Sequence, residues 1–348
     1  MKVKTSVFGH FGEENTLLNG QTIKTNIVTE ALCELLGKEQ VLKFDTSGGK
    51  KQLLKVPFQV VKAMKSSDNV IIFPAHNGLR VYAPLLRAFS VFFKQRKLHY
   101  VVIGGWLPQF VSKRKLLKRI LKKFDGIYVE TNTMKSALEK QGFENIFIMP
   151  NCKKLKVLKE SELVYSKGAP YKLCTFSRVM KEKGIEDAVG AVININKTLG
   201  YTAYSLDIYG QVDSEQIDWF ENLKSTFPTY IRYCGSVQAD RSVDILKDYF
   251  ALLFPTHFYT EGIPGTIIDA YAAGVPVISA KWESFEDVVD DGVTGVGYEF
   301  DDFDELNSQL FSAVKCIDSF NMLKCNCLEK SRCFTPIVAM RVLSDNLV

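Results

Sequence analysis

The sequence predicts an α/β protein made of two doubly wound, parallel-sheet domains of Rossmann type. Three observations lead there. Short apolar runs alternate with segments whose apolar residues recur at helical spacing along all 348 residues. The alternation breaks once, at 151–168, where Lys, Glu and Ser replace apolar periodicity and mark an interdomain connection. Glycine-bearing turns follow the apolar runs, and the loops after the strands of a parallel sheet are where ligands bind.

In the first half, strands are expected at 3–8, 41–44, 70–73, 100–103, 126–130 and 146–149. Helical patterns separate them, beginning with Ile23, Ile27, Ala31 and Leu35 and continuing near 53–66, 79–95, 113–123 and 133–141. Three loops stand out. Gly9-His10-Phe11-Gly12 through Asn19-Gly20-Gln21-Thr22 bears glycines and opens a helix, so its backbone allows close approach to a ligand. The others are Pro74-Ala75-His76-Asn77-Gly78 and Gly104-Gly105-Trp106-Leu107-Pro108, the latter pairing a close backbone turn with an aromatic plate.

In the second half, strands are expected at 171–176, 205–209 and 230–233, with helices from Ile185 and at 214–225 and 240–250. The first strand ends in Phe176-Ser177-Arg178-Val179, followed by Lys181-Glu182-Lys183-Gly184-Ile185. Arg178 offers a planar fork and Lys183 a point charge to a diphosphate; exposed loop cations are the plainer reading. Ala251 to Phe254 read as a strand stopped by Pro255. Glu261 then precedes Gly262-Ile263-Pro264-Gly265 and a helix carrying Ile267, Ile268, Tyr271 and Ala272, with Pro264 expected at its first position. The N–H groups of Gly265, Thr266 and Ile267 would lack intrahelical partners and suit a phosphate. Glu261 and Asp269 bracket this turn as acceptors for a polyhydroxylated ligand, although acids placed for the helix dipole give the same pattern. Asp302-Phe303-Asp304 precedes the helical pattern Leu306, Leu310, Val314 and reads as a cap. The segment 336–347 is amphipathic.

Composition narrows the class. Hydrophobic residues make 46% and charged residues 24% of the chain, which suits folded domains and excludes disorder. No run reaches the roughly 18 to 20 apolar residues of a membrane span, and the start is too weakly apolar for a signal peptide, so a cytoplasmic protein is expected. Eight cysteines, mostly in apolar segments, suit reduced core thiols, and their spacing is not that of a zinc knuckle. Net charge is +5, but Lys113, Arg114, Lys115, Lys118, Arg119, Lys122 and Lys123 interleave with Leu116, Leu117, Ile120 and Leu121. That stretch is either a solvated surface helix or a segment resting on anionic lipid. No aromatic stacking platform accompanies it, so nucleic acid is not an expected partner.

The pattern Glu261-Gly262-Ile263-Pro264-Gly265 with Asp269 eight residues after Glu261 resembles the E-x7-E region of retaining GT-B glycosyltransferases, glycosyltransferase family 4 (glycosyl transferases group 1). Arg178 to Gly184 resembles that family's G-R-x-x-x-x-K-G element, with Ser177 in place of the usual Gly. The resemblance is specific over 171–300 and loose before it. It implies a GT-B-like fold, with 1–155 the acceptor side and 169–335 the nucleotide-sugar domain. It further implies that a helix at 336–348 crosses back onto the first domain. Carried over residue by residue, it puts Glu261 by the donor sugar, Arg178 and Lys183 with Ser177 on the diphosphate, and the amides of Gly262, Ile263, Gly265, Thr266 and Ile267 beside them. Asp269, one methylene shorter than the usual Glu, takes the ribose, and Gly20 matches the glycine loop against the donor. His76 and Trp106 are then candidate sugar contacts. The expected activity is that of a retaining hexosyltransferase of polysaccharide biosynthesis. It moves a sugar from a UDP- or GDP-linked donor to a glycan or lipid-linked glycan, with no metal or other cofactor. An epimerase or phosphorylase of the same fold and a non-catalytic nucleotide-sugar-binding protein are the competing expectations.

Overall fold

The computed structural model describes residues 3–12, 20–47 and 54–348. The chain divides into two compact units, Met1–Lys154 with Phe334–Val348, and Leu155–Cys333. Each is a six-stranded parallel sheet covered by helices on both faces.

In the first unit the strands are β1 (Val3–Gly9), β2 (Val41–Asp45), β3 (Ser67–Ile72), β4 (Lys97–Val101), β5 (Gly126–Val129) and β6 (Ile146–Ile148), in the order β2-β1-β3-β4-β5-β6. Side chains alternate across the sheet. Phe8 joins Val60, Met64, Leu79, Leu86 and Leu121 from α2 (Val56–Ser66), α3 (His76–Ser90) and α5 (Lys115–Leu121), with the short α4 (Leu107–Ser112) and α6 (Asn132–Glu139) alongside. Val7 faces the other way, toward Val28 and Leu32 of α1 (Gly20–Leu36). Strand β3 begins three residues before the expected 70, because its polar start is satisfied internally. Ser67 bonds the Ser6 hydroxyl at 2.7 Å and Asn69 the Lys4 carbonyl at 3.1 Å.

The second unit contains β7 (Tyr171–Phe176), β8 (Tyr204–Tyr209), β9 (Ile231–Gly235), β10 (Ala251–Phe254), β11 (Val277–Ala280) and β12 (Gly295–Tyr298), in the order β12-β11-β10-β7-β8-β9. Central β10 is buried on both faces, which is why it reads as an unbroken apolar run. Its helices are α7 (Ile185–Leu199), α8 (Ile217–Lys224), α9 (Ser242–Leu246), α10 (Gly265–Ala272), α11 (Phe285–Val288), α12 (Phe303–Lys315) and α13 (Ile317–Ser331); α14 (Pro336–Ser344) returns to the first unit. Asp302 caps α12 by accepting the Glu305 N–H at 2.8 Å.

The units divide between Lys154 and Leu155, inside the segment 151–168; beyond that point Leu158 and Leu163 are buried, and the Leu158 N–H bonds the Ala272 carbonyl at 3.0 Å. One expectation is corrected: the cysteines are not chiefly core thiols, since Cys152, Cys174 and Cys327 are buried whereas Cys234, Cys316 and Cys333 are exposed. No described helix is long and apolar enough to cross a membrane.

Candidate active site

The chain leaves β7 toward β8 on one side and arrives at β10 on the other, so the loops after β7 and β10 diverge at a topological switch point. Two glycines bring the surrounding turns into contact. Gly184 has φ 66°, and a Cβ there would lie 1.8 Å from the Pro255 carbonyl oxygen. Gly210 has φ 136°, with a Cβ position 1.7 Å from the Ser177 carbonyl oxygen. Only a residue without a side chain fits either place. The backbones then bond: Val179 N–H to Gln211 O and Asp213 N–H to Val179 O, each at 2.9 Å.

This closure delivers Lys183 to Glu261. The ammonium pairs with the Glu261 carboxylate, the two side chains being 18% and 17% exposed. Lys183 also lies over the rings of Phe258, 4.9 Å from the centroid, and Phe254, at 5.5 Å. The Thr256 hydroxyl reaches the same Glu261 oxygen at 3.3 Å and accepts the Phe258 N–H at 3.2 Å, fixing the loop between them. An ammonium, a carboxylate and aromatic faces thus converge at the entrance to α10.

At that entrance Pro264 is the N-cap of α10 rather than its first residue, with ψ 127°. Its carbonyl accepts the Ile267 N–H at 3.1 Å, so Ile267 does not supply the free donor expected of it. Among the described residues, the N–H groups of Gly262, Gly265 and Thr266 have no protein acceptor. The Thr266 hydroxyl is buried, also without a partner. Asp269, one turn on, is buried and accepts from the Ser242 hydroxyl at 2.9 Å. Arg178 is 54% exposed and pairs with Asp213 at 2.8 Å instead of joining Lys183. Ser177 donates its hydroxyl to the Arg178 carbonyl at 3.3 Å.

The first unit has its own reversal of winding, between β1 and β3. Gly20 is the exposed first residue of α1, and a side chain there would meet nothing within 4 Å; residues 13–19 of the expected glycine loop lie outside the described residues. His76 opens α3 rather than ending a strand, with φ 28°. Its ring stacks on Trp106 at 4.0 Å and meets the edge of Phe110 at 5.1 Å. Partial burial, then the Arg114 charge, lowers its pKa and favours the neutral imidazole.

Sequence reasoning missed Thr256, His257 and Asp213. Asp213 and His257 take their partners from other loops, Thr256 reaches Glu261 within its own, and no spacing rule marks any of the three. Among the described residues, no group of three or more His, Cys, Asp and Glu is placed to hold a metal ion.

Residues 170–315 match the family described as glycosyl transferases group 1. An uncharacterized glycosyltransferase of Methanocaldococcus jannaschii is 22% identical over 254 residues, covering 67% of this chain and 62% of that protein, so less than two thirds of the relative is spanned. Among solved structures, HepE of Anabaena in complex with UDP and glucose superposes with a TM-score of 0.74 at 14% identity, over 99% of this chain and 98% of that one. Sucrose-phosphate synthase of Thermosynechococcus elongatus does so at 0.75 and 13%, over 99% and 98%. The fold is therefore GT-B-like, and the family match lies within the second unit.

Proposed function

We propose that this chain is a retaining hexosyltransferase that moves a sugar from a nucleoside-diphosphate donor to a hydroxyl of a glycan or lipid-linked glycan, in the assembly of cell-surface polysaccharide. One observation carries the reading: the Lys183 ammonium held against Glu261 beside the unpartnered amides of Gly262, Gly265 and Thr266. Breaking the glycosidic bond leaves negative charge on the departing diphosphate. Fixed donors and cations aimed at that charge stabilise the transition state more than the ground state. A bound diphosphate draws the Lys183 ammonium toward it, leaving Glu261 to accept from sugar hydroxyls. Arg178 supplies the second cation, and Asp269, oriented by Ser242, takes the ribose. The UDP bound in HepE supports a uridine donor.

His76 and Trp106 form the aromatic surface assigned to the acceptor sugar. Contact with an anionic membrane fits the charge of residues 54–125, which hold fifteen Lys and Arg against two Asp. Phe58 and Phe92, each 80% exposed, and Leu116, 70% exposed, stand among those cations as apolar insertion points.

The test is release of nucleoside diphosphate from a panel of UDP-, GDP- and ADP-sugars, with thermal shifts to detect binding. Lys183→Met keeps the stem and removes the charge. It should lower turnover by about 100- to 1,000-fold; undiminished turnover removes the electrostatic mechanism, and no turnover of any donor by the parent removes the enzyme.

A further inference from the structure

His257 lies four residues before Glu261, on the loop joining β10 to α10, and the donor reading makes no use of it. Both of its ring nitrogens face carboxylates: Nε2 is 3.0 Å from Asp187 and Nδ1 is 2.5 Å from Asp301. Its main-chain N–H bonds the carbonyl of Glu182, the neighbour of Lys183, at 2.9 Å. Asp187 belongs to the first turn of α7, and Asp301 to the turn between β12 and α12. Asp301 holds φ 60°, a left-handed conformation few non-glycine residues adopt. A single side chain thus joins the β10–α10 loop, which bears Glu261, to two other segments.

The protonation logic is narrow. A neutral imidazole carries hydrogen on one nitrogen and a lone pair on the other, whereas an ionised carboxylate only accepts. With carboxylates at both nitrogens, the arrangement is complete only for the imidazolium. Burial raises the Asp187 pKa and the His257 charge opposes that rise, so the ionised state of this carboxylate leans on the ring. The other charged or titratable groups near this cluster are Glu186 on α7, Tyr298 on β12, Asp302 beyond Asp301, and Lys183 and Glu261 themselves.

We infer that His257 is a positioning residue acting as a protonation-dependent clamp. Charged, it ties the loop before Glu261 to α7 and to the β12–α12 turn, and so keeps Glu261 in register with Lys183. Neutral, it faces one carboxylate with a lone pair, that arm opens, and the diphosphate site loosens. The inference rests on the donor reading above.

UDP binding by calorimetry at about pH 6 and about pH 8.5 tests it on the parent, His257→Gln and Asp301→Asn. A terminal phosphate loses its second proton near pH 6, which favours binding to cations as pH rises; a fall in affinity therefore originates in the protein. The parent should weaken by about tenfold across that interval, the low end of ordinary coupling between two sites. His257→Gln, which cannot be charged, should bind no better at the lower pH than the parent does at the higher, and should show no such fall; Asp301→Asn should show a reduced one. Thermal unfolding confirms that each variant is folded. Long-range proton–nitrogen spectra of the imidazole should show hydrogen on both nitrogens of His257 at about pH 6. The clamp is overturned by a bare ring nitrogen there, or by His257→Gln matching the parent at both pH values. A parent that binds no UDP at either pH removes the donor reading instead.

Discussion

Gly184→Ala tests whether the close approach of two loops builds the site. A left-handed φ costs a non-glycine residue about 1–2 kcal/mol. At Gly184 the added Cβ would also stand 1.8 Å from the Pro255 oxygen, against the 3.0 Å below which real contacts essentially never fall. The two backbones must therefore part by roughly 1.2 Å, and such crowding adds about 1–3 kcal/mol. Together the loss is about 2–5 kcal/mol, and the movement separates the neighbours of Lys183 from the loop that bears Glu261. A misplacement near 1 Å costs about 100-fold in rate. Gly200 is the control: its φ is 75°, but a Cβ there meets nothing within 4 Å. Gly200→Ala should lose about 1–2 kcal/mol and keep the affinity for UDP. Urea unfolding and UDP calorimetry on both variants read the two effects separately. Equal stability losses with unchanged UDP affinity in Gly184→Ala would refute the reasoning.

The His99 ring is buried against Tyr128 and Asn69, and burial pushes its pKa down to about 4. The unfolded chain gains a proton from about pH 6.5 while the folded one refuses it until about 4. Stability should thus be lost as pH falls through that window, by up to roughly 3 kcal/mol; urea unfolding at the two ends checks this, and His99→Gln should flatten the loss. Arg178→Ala removes a pair that is half in solvent, so stability should change by less than about 1 kcal/mol. UDP affinity should nevertheless fall by about tenfold or more, and unchanged affinity would remove Arg178 from the diphosphate site. Ser242→Ala takes a hydrogen bond from the buried Asp269 and should cost about 1–3 kcal/mol in urea unfolding; a negligible change would show that the bond contributes nothing.

The alternation of strand and helix was legible because parallel strands buried on both faces leave unbroken apolar runs, as in β10. The strand-to-helix turn at 261–269 was legible because Pro and Gly suit the opening of a helix after a strand; its phosphate role, with the cations at 178–183, is the reading proposed above. What lay beyond reach was direction. Asp269 points inward, and no helical wheel could have told this, since Ile267, Ile268, Ala270, Tyr271 and Ala272 around it are all buried. Arg178 turns to Asp213, 35 residues later in the chain, because the close fit of Gly210 on Ser177 zips two extended loops together. Pro264 sits a position earlier than expected because its carbonyl, with the backbone still extended, closes the first turn on Ile267.

The path of the chain has a consequence for how the protein is made. Helix α14 contributes Ala339, Met340 and Leu343 to the layer under α1, and Val348 exchanges two hydrogen bonds with Asn69, at 3.1 and 3.2 Å. Everything the second unit needs has emerged from the ribosome by Cys333, whereas the unit begun first still lacks part of one face. The later half can therefore finish folding before the earlier one. A nascent chain halted once Cys333 has emerged would carry a complete second unit while the first lacks α14, with Val28 and Leu32 open to chaperones.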